Sequence, residues 1–360
     1  MTTKKDIDDI CTLVCNYYKI KDNNMKKYYL MAIELNNSDA MNNLAQYYKE
    51  IEDYDNMKKY YLMAIELNNS TAMNNLGFYY NKIKDYNNMI KYYLMGIELN
   101  NSTSMSNLAN YYKEIKDYDN MKKYYLMAIE LNNSNAMNNL AYYYKEIKDY
   151  DNMKKYYLMG IELNNSKAMN NLAYYYEENE DYDNMKKYYL MAIELNDSNA
   201  MNNLANYYKK IKDYQPHSRR HEHLARDNMI KYYLMAIKLN NLNSMSNLAF
   251  YYEEINDYDN MKKYINKAFN INSNDLILKL YKKYNKIKVY YILHKCNISY
   301  DIEIDEDIVH LKEQINLNNI TKDECIVCYT PNTLKIQFKN CIHTTCIDCY
   351  INMNTCYYRC

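Results

Sequence analysis

A 32-residue repeat constrains this chain more than any other feature of its sequence. The segment M-K-K-Y-Y-L-M-A-I-E-L-N-N begins at Met25 and returns almost unchanged at Met57, Met121 and Met185. Variants of the segment begin at Met89, Met153 and Met229, and a diverged copy begins at Met261. A unit of this length cannot bury its apolar faces alone, so the copies must stack against one another. The sequence therefore predicts an array of stacked repeats over most of the chain.

Each unit is expected to form two helices. In the copy that starts at Ser134, this serine is the predicted N-cap of the first helix, the K-D-Y-D segment is the predicted turn, and the second helix is expected to stop at Asn164 and Asn165. Apolar residues follow helical spacing in both segments, namely Met137, Leu140, Ala141 and Tyr144 in the first and Met153, Tyr157, Gly160 and Ile161 in the second. The chain has only 3 Gly and 2 Pro, so few residues would break these helices. We therefore expect an all-α fold of stacked helix hairpins.

These spacings resemble those of the tetratricopeptide repeat, and the related Sel1-like repeats share the same helical hairpin. The small and large packing positions of that family match Leu140, Ala141, Tyr144, Met153, Tyr157 and Gly160. The resemblance implies a right-handed α-solenoid over residues 8–288. The unit departs from the family in having 32 residues rather than the usual 34, and Asn165 stands where the family prefers proline.

An insertion of sequence Q-P-H-S-R-R-H-E-H-L-A-R interrupts the array at residues 215–226. Its proline and its arginine pair are typical of a tolerated surface insertion, and we expect an exposed loop. The insertion also carries three histidines, so a metal site is the alternative interpretation: His217, His221 and His223.

One position on the first helix varies between copies, although the packing positions scarcely change. It directly follows the packing alanine or glycine and reads Gln46, Phe78, Asn110, Tyr142, Tyr174, Asn206 and Phe250. In the tetratricopeptide family this face lines a concave groove in which peptides bind. The resemblance therefore implies a protein or peptide partner in the groove, with the aromatic members as anchors. The alternative is that solvent-facing positions drift when repeats duplicate.

Seven of the ten cysteines fall in the last part of the chain, together with one histidine. These eight residues are Cys325, Cys328, Cys341, His343, Cys346, Cys349, Cys356 and Cys360. Eight thiolate and imidazole donors are the number that two tetrahedral Zn²⁺ ions require. The N-terminus lacks the apolar region of a signal peptide, which favours metal binding over disulfides. We therefore expect two zinc ions as cofactors.

The ligand order resembles that of the RING finger. The resemblance implies a zinc finger at residues 325–360, after a connector at residues 289–320. It assigns one zinc to Cys325, Cys328, Cys346 and Cys349, and the other to Cys341, His343, Cys356 and Cys360. RING fingers commonly act as ubiquitin-protein ligases that have no covalent catalytic residue and dock a ubiquitin-conjugating enzyme. That docking surface would be Ile326, Tyr350 and Ile351.

The resemblance to RING fingers leaves two functions open. In one, the chain is a RING-type ubiquitin-protein transferase whose solenoid recruits protein substrates. In the other, it is a non-enzymatic interaction scaffold with a structural zinc module. Departures from the RING pattern include the absence of Trp and the presence of Tyr357 where proline is common.

The formal net charge is +0, so no global field attracts the chain to nucleic acid or to a membrane, and we expect neither partner. The sequence has no apolar stretch of the length that a membrane span needs. We expect a cytoplasmic protein. The bias towards Asn, Lys, Tyr and Ile, in repeats fused to a RING-like end, resembles products of large DNA viruses. For such a product the location would be the host cytoplasm.

Overall fold

The computed structural model describes residues 25–214, 219–272, 276, 279–280, 322–323, 333–337 and 344–346. The chain divides into two compact units, Met1–Leu195 and Asn196–Cys360. Fifteen α-helices and three short β-strands lie within the described residues. None of the described helices is both long and apolar enough to span a bilayer.

The first unit is an array of helix hairpins. Its helices are α1 (Met25–Ile33), α2 (Ser38–Glu50), α3 (Tyr54–Glu66), α4 (Ser70–Lys82), α5 (Tyr86–Glu98), α6 (Ser102–Glu114), α7 (Tyr118–Glu130), α8 (Ser134–Glu146), α9 (Tyr150–Glu162), α10 (Ser166–Glu178) and α11 (Tyr182–Glu194). We call the even-numbered helices helix A and the odd-numbered helices helix B, because each repeat contains one of each. Helix A packs on helix B of the same repeat, and helix B packs on helix A of the next repeat. The prediction of stacked hairpins is confirmed for this unit.

The helix starts depend on side-chain caps, which differ in detail from the sequence expectation. Asn133, with an extended backbone, accepts a hydrogen bond from the Ala136 amide at 2.9 Å. The predicted cap Ser134 was wrong, because Ser134 is already the first residue of α8. Asp149 caps α9 by accepting from the Asn152 amide at 3.1 Å. Helix α9 therefore begins at Tyr150, inside the segment that was predicted to be a turn.

The helix ends use left-handed residues that are not glycine. Asn164 has φ 55° and Lys148 has φ 61°. After α9, the Asn164 amide donates to the Ile161 carbonyl at 2.9 Å and the Asn165 amide donates to the Gly160 carbonyl at 3.0 Å. These two bonds form a Schellman motif. The Asn-Asn pair thus ends one helix with its first residue and caps the next with its second, which explains why the turns need no glycine.

The core of each repeat follows the predicted stripes. Met137, Leu140 and Ala141 are buried in α8, and Met153, Tyr157 and Gly160 are buried in α9. Two predicted members, Tyr144 and Ile161, are only half-buried. The Tyr144 ring stacks on the Tyr156 ring, with the centroids 5.6 Å apart and the planes at 5°. Tyrosine pairs of this kind recur along the array and give part of the high Tyr content a packing role.

The second unit contains α12 (Ser198–Tyr214), α13 (Arg219–Lys238), α14 (Leu242–Glu254) and α15 (Tyr258–Ile271). It also contains a three-stranded antiparallel sheet of β1 (Lys322–Asp323), β2 (Thr333–Gln337) and β3 (Thr344–Cys346), in the order β1-β2-β3. In the β2–β3 register, Lys335 is opposite Cys346.

The prediction that residues 215–226 form a loop was wrong for most of the insertion. Helix α13 begins at Arg219, and α12 continues to Tyr214, so the insertion lengthens the helical hairpin. The sequence R-R-H-E-H-L-A-R contains no Gly or Pro, and most of its residues favour helices. Ala225 is buried, whereas His223 is exposed.

Several predictions lie outside the described residues. They include the start of the solenoid at residues 8–24, the connector at 289–320, the docking residues Ile326, Tyr350 and Ile351, and all predicted zinc ligands except Cys346. Beyond α15, Leu276 and Leu280 are helical and buried.

Candidate functional site

The variable position of helix A places aromatic rings in solvent. The side chains of Tyr142, Tyr174 and Phe78 are 46%, 44% and 38% exposed. Gln46 and Asn110 occupy the same position in the first unit and are half-buried. We call these five residues the helix A face of the first unit. Large rings that packing does not require are typical of binding surfaces.

The equivalent position in the second unit carries Asn206 and Phe250, and both are half-buried. Asn206 differs from the aromatic members because its side chain forms hydrogen bonds within the repeat array. Its side-chain oxygen accepts a hydrogen bond from the buried Tyr233 hydroxyl. It also accepts from Asn247 Nδ2 at 3.2 Å.

A lysine of the preceding repeat lies over each of the two tyrosine rings of the helix A face. Lys113 Nζ is 4.6 Å from the Tyr142 ring centroid, and Lys145 Nζ is 4.6 Å from the Tyr174 ring centroid. Two lysines approach the Phe78 ring in the same way, Lys49 at 5.3 Å and Lys82 at 5.4 Å. These cation–π contacts restrict the rings while leaving them partly exposed.

The same lysines form ion pairs between repeats. Lys113 Nζ is 2.9 Å from Glu146 Oε2, and Lys145 Nζ is 2.7 Å from Glu178 Oε2. Both pairs are partly exposed, so each contributes at most about 1 kcal/mol to stability. Their more definite effect is on charge, because each lysine that covers a tyrosine has its charge compensated by a carboxylate.

A recess lies between Tyr142 and Tyr174. Its other lining residues are Lys145, Glu146, Tyr157 and Asn171, and its volume is about 270 Å³. The recess thus brings two predicted groove residues together with a buried helix B tyrosine. The sequence pattern predicted only a packing role for Tyr157. Helical spacing indicates that the ring is buried and gives no information about hydrogen bonds of the hydroxyl.

Asn110 has an internal partner instead of an open position. Its side-chain oxygen accepts from the hydroxyl of Tyr125, which is buried in helix B of the same repeat. It also accepts from Asn139 Nδ2 at 3.2 Å. The helix A face of the first unit therefore combines open aromatic positions with one position, Asn110, that is hydrogen-bonded within the scaffold.

Asparagines link successive copies of helix A. In most repeats the second Asn of the M-N-N segment donates to the first Asn of the preceding repeat: Asn75 to Asn42 at 3.0 Å, Asn107 to Asn74 at 2.9 Å, Asn171 to Asn138 at 2.9 Å, and Asn247 to Asn202 at 3.1 Å. The sequence prediction missed these bonds. The repeated Asn-Asn pair was their only signal. They fix the register of neighbouring A helices and hence the spacing of the exposed rings.

The predicted zinc site has little described structure. Only the backbone of Cys346, the last residue of β3, is described among its ligands. Within the described ranges, no group of three or more His, Cys, Asp or Glu side chains is placed to hold a metal ion. In the insertion, the His223 side chain is described, whereas those of His217 and His221 are not.

Two of three similar solved structures, those with a TM-score of at least 0.50, support the helical architecture. Yeast Tom70 is 14% identical with a TM-score of 0.54, and the match covers 86% of this chain and 63% of that one. A Sel1 repeat protein from Oxalobacter formigenes is 20% identical with a TM-score of 0.50, covering 64% and 99%. A protective antigen of uropathogenic Escherichia coli with an SLR fold is 17% identical with a TM-score of 0.46, covering 81% and 69%. At these identities the likeness shows the fold alone.

A search among curated proteins found no significant sequence match. The sequence profile of the tetratricopeptide repeat, by contrast, matches six times, at residues 38–71, 70–103, 102–135, 134–167, 166–199 and 242–275. These matches cover more than half of the chain, and their spacing is that of the helix A–helix B hairpins. Repeat scaffolds of this kind suggest protein–protein interaction. The chain belongs to the tetratricopeptide repeat family.

Proposed function

We propose that the helix A face of the first unit binds a segment of a partner protein. The observation that carries this proposal is the set of exposed rings Phe78, Tyr142 and Tyr174, each approached by a lysine. An exposed tyrosine presents a large, rigid area whose burial on binding is favourable. The lysine contacts reduce the motion of the ring before binding, which lowers the entropy cost of association.

Selection from a displayed library of random peptides tests this surface with a defined probe. Wild-type protein is expected to enrich peptides with a shared sequence, and the double variant Tyr142→Ala with Tyr174→Ala is expected to lose them. The control is Leu158→Ala with Leu190→Ala, which removes two side chains of helix B that are each 42% exposed. Equal enrichment by the Tyr142/Tyr174 variant would contradict the proposal and favour drift at these positions.

The second part of the proposal concerns the C-terminal segment, which acts as a RING-type zinc domain. The donor set supports it, since seven thiolates and one imidazole suit two tetrahedral zinc sites. The described strands agree with this arrangement, because β2 and β3 pair antiparallel and the short chain between them contains Cys341 and His343. In the proposed interleaved pairing, Cys341 and His343 bind one zinc and Cys346, the last residue of β3, binds the other. Bound zinc would supply much of the folding free energy of so small a domain.

With this zinc domain the chain acts as a ubiquitin-protein ligase. The repeats hold the substrate, and Ile326, Tyr350 and Ile351 dock a ubiquitin-conjugating enzyme, so the transfer is accelerated by proximity. The competing function is a scaffold in which zinc only stabilises the C-terminus. Sequence resemblance is what supports the ligase.

An autoubiquitination assay with a panel of conjugating enzymes separates the two functions. The ligase predicts ubiquitin chains with the wild-type protein and loss of chains with Cys341→Ser. Ile326→Ala is expected to abolish chains while zinc content, measured by elemental analysis, stays unchanged. Zinc-loaded protein that makes no chains with any conjugating enzyme would favour the scaffold.

A further inference from the structure

The hydroxyl group of Tyr157 is buried and makes no hydrogen bond to any residue that the structure describes. The side chain is 0% exposed and lies on α9. Burial raises the pKa of this phenol and outweighs the lowering effect of the neighbouring Asn171 side chain, which does not reach hydrogen-bond geometry, so the hydroxyl keeps its proton at neutral pH. A buried donor without an acceptor carries a free-energy cost, which an acceptor on a bound partner would remove.

The preceding repeat shows one way in which this hydroxyl can be satisfied. Tyr125 occupies the equivalent position there and donates to Asn110. In the repeat of Tyr157, the position of Asn110 is taken by Tyr142, whose ring points into solvent with 46% exposure. The exchange of asparagine for tyrosine therefore opens the surface and removes the internal acceptor at the same time.

The following repeat shows a second way. Tyr189 donates to Glu177 Oε2 at 3.0 Å. In the repeat of Tyr157 the position of Glu177 is taken by Lys145, and an ammonium group cannot accept a hydrogen bond. Both internal acceptors are thus missing in one repeat, which is also the repeat with the recess.

The recess offers room for an acceptor from outside. Tyr157 lines it together with Tyr142 and Tyr174, and its volume of about 270 Å³ far exceeds the ~30 Å³ share of one water molecule. It is smaller than most pockets for drug-sized ligands, which start at about 300 Å³. A volume of this size suits one side chain of a bound peptide.

The charges around the recess favour an uncharged occupant. The lining contains one lysine and one glutamate, Lys145 and Glu146. Both are already ion-paired, Lys145 with Glu178 at 2.7 Å and Glu146 with Lys113 at 2.9 Å. A charged side chain would enter next to a group of its own sign or would compete with an existing pair. A neutral polar side chain meets neither cost.

We propose that this recess binds the carboxamide side chain of an asparagine or glutamine in the partner segment. The carboxamide oxygen accepts the hydrogen bond from the Tyr157 hydroxyl, and the planar amide group lies between the rings of Tyr142 and Tyr174. The side-chain amide of Asn171 also lines the recess. This inference rests on the proposed binding function of the helix A face and specifies which residue of the partner the face selects.

The test uses full-length protein and the peptides enriched in the library selection. Tyr157→Phe removes only the hydroxyl and keeps the buried ring, and it is expected to weaken the peptide about tenfold, the worth of one hydrogen bond. Replacing the peptide's Asn or Gln by Glu, Lys or Leu is expected to weaken binding to the wild type by a similar factor or more. Tyr125→Phe is the matched control, because its hydroxyl already bonds to Asn110, and peptide affinity should not change.

The outcomes distinguish this inference from the function on which it rests. Enriched peptides without a shared Asn or Gln, or equal affinities for wild type and Tyr157→Phe, would overturn the carboxamide assignment and leave the binding surface standing. If no peptide is enriched, crystals of the wild type and of Tyr157→Phe are soaked with N-acetylglutamine N-methylamide. Density for the amide at Tyr157 in the wild type alone would support the assignment, and its absence would overturn it.

Discussion

The hydroxyl of Tyr125 donates a hydrogen bond to Asn110, and the same bond joins Tyr233 to Asn206 in the second unit. The two residues are 15 positions apart in the first pair and 27 apart in the second. The difference equals the length of the insertion at residues 215–226. The insertion therefore lengthens both helices of its hairpin beyond this contact and leaves the register between them unchanged.

Loss of the acceptor in this pair should destabilise the protein more than loss of the donor. Asn110→Ala leaves the Tyr125 hydroxyl buried without a partner, and we expect a cost of about 1–3 kcal/mol in the free energy of unfolding. The double variant Asn110→Ala with Tyr125→Phe should recover part of this loss. Urea unfolding followed by circular dichroism measures the free energy of unfolding of the single and the double variant. A double variant no more stable than Asn110→Ala would contradict this interpretation.

Tyr157→Phe gives the matching result for a hydroxyl that lacks a partner. Removing an unsatisfied buried hydroxyl should leave the free energy of unfolding unchanged or raise it slightly. The comparison with Tyr125→Phe is direct, since both rings are fully buried at equivalent positions. A large loss of stability for Tyr157→Phe would mean that its hydroxyl is bonded in the folded protein.

The sequence period was sufficient to predict the hairpins and most of the core. Met137, Leu140 and Ala141 recur at helical spacing, and the structure buries all three. Core packing of this kind can be predicted from the sequence, because burying one face of a helix requires apolar residues at helical spacing. The insertion was wrongly predicted as a loop, because proline and arginine pairs are typical of surface loops, whereas the helix propensity of residues 219–226 determines the structure.

The polar contacts of the candidate site could not be read from the same pattern. Tyr125 and Tyr157 occupy the same position of the repeat, yet only the hydroxyl of Tyr125 has a hydrogen-bond acceptor within the protein. The difference depends on which residue stands 15 positions earlier, Asn110 or Tyr142. Such a pairing joins two helices, so neither helix shows it alone. The lysine contacts across repeats escaped prediction for the same reason.

Two helix glycines should gain different amounts of stability from alanine. A methyl group at Gly160 would lie 3.2 Å from Ala168 Cβ, a close contact that the repeat pattern already tolerates, since other repeats carry alanine at both equivalent positions. We expect Gly160→Ala to stabilise the protein by up to about 1 kcal/mol through helix propensity. At Gly96 the methyl group would lie 2.5 Å from Ser104 Oγ, so the serine hydroxyl must shift, as it does where the second unit carries the same pair as Ala236 and Ser244, and we expect a smaller gain than at Gly160.

The Gly96 clash has a simple control. Combining Gly96→Ala with Ser104→Ala removes the hydroxyl and creates the alanine pair that other repeats carry, so the double variant should show the full stabilisation. The midpoint of urea unfolding is used to compare the stability of the wild type, Gly160→Ala, Gly96→Ala and the double variant. If Gly96→Ala alone stabilises as much as Gly160→Ala, the contact with Ser104 is too soft to matter.

The left-handed residue at the end of α8 offers another stabilising change. Lys148 has φ 61° and an exposed side chain. Glycine adopts this conformation without steric cost, so Lys148→Gly should raise the free energy of unfolding by about 0.5–1 kcal/mol. Lys155→Gly is the contrasting variant, because Lys155 lies within α9, and it should lower stability by about 1 kcal/mol. Similar effects at both positions would contradict the backbone argument.

Acid should weaken the helix B caps together. Hydrogen bonds from the side chain and backbone of Asn152 hold the pKa of Asp149 below its ordinary value of 3.8, and equivalent bonds lower the pKa of four other caps: Asp53, Asp117, Asp181 and Asp257. A carboxylate whose pKa is lowered by folding contributes its stability above the unfolded pKa and loses it as the pH falls through the folded pKa. Thermal melting should therefore shift to lower temperature below about pH 4.

Replacing the five caps by asparagine isolates their part in this acid sensitivity. Asparagine accepts the same amide hydrogen bond without titrating, so the variant should remain folded at neutral pH. Its melting temperature should fall less than that of the wild type between about pH 5 and pH 3. Asp151→Asn is the control, because this residue lies inside α9 and does not cap it. Equal acid sensitivity in the wild type and the five-cap variant would assign the effect to carboxylates elsewhere. A smaller dependence would show that the Asp-Asn caps, repeated once per hairpin, make the array respond to acid as a set.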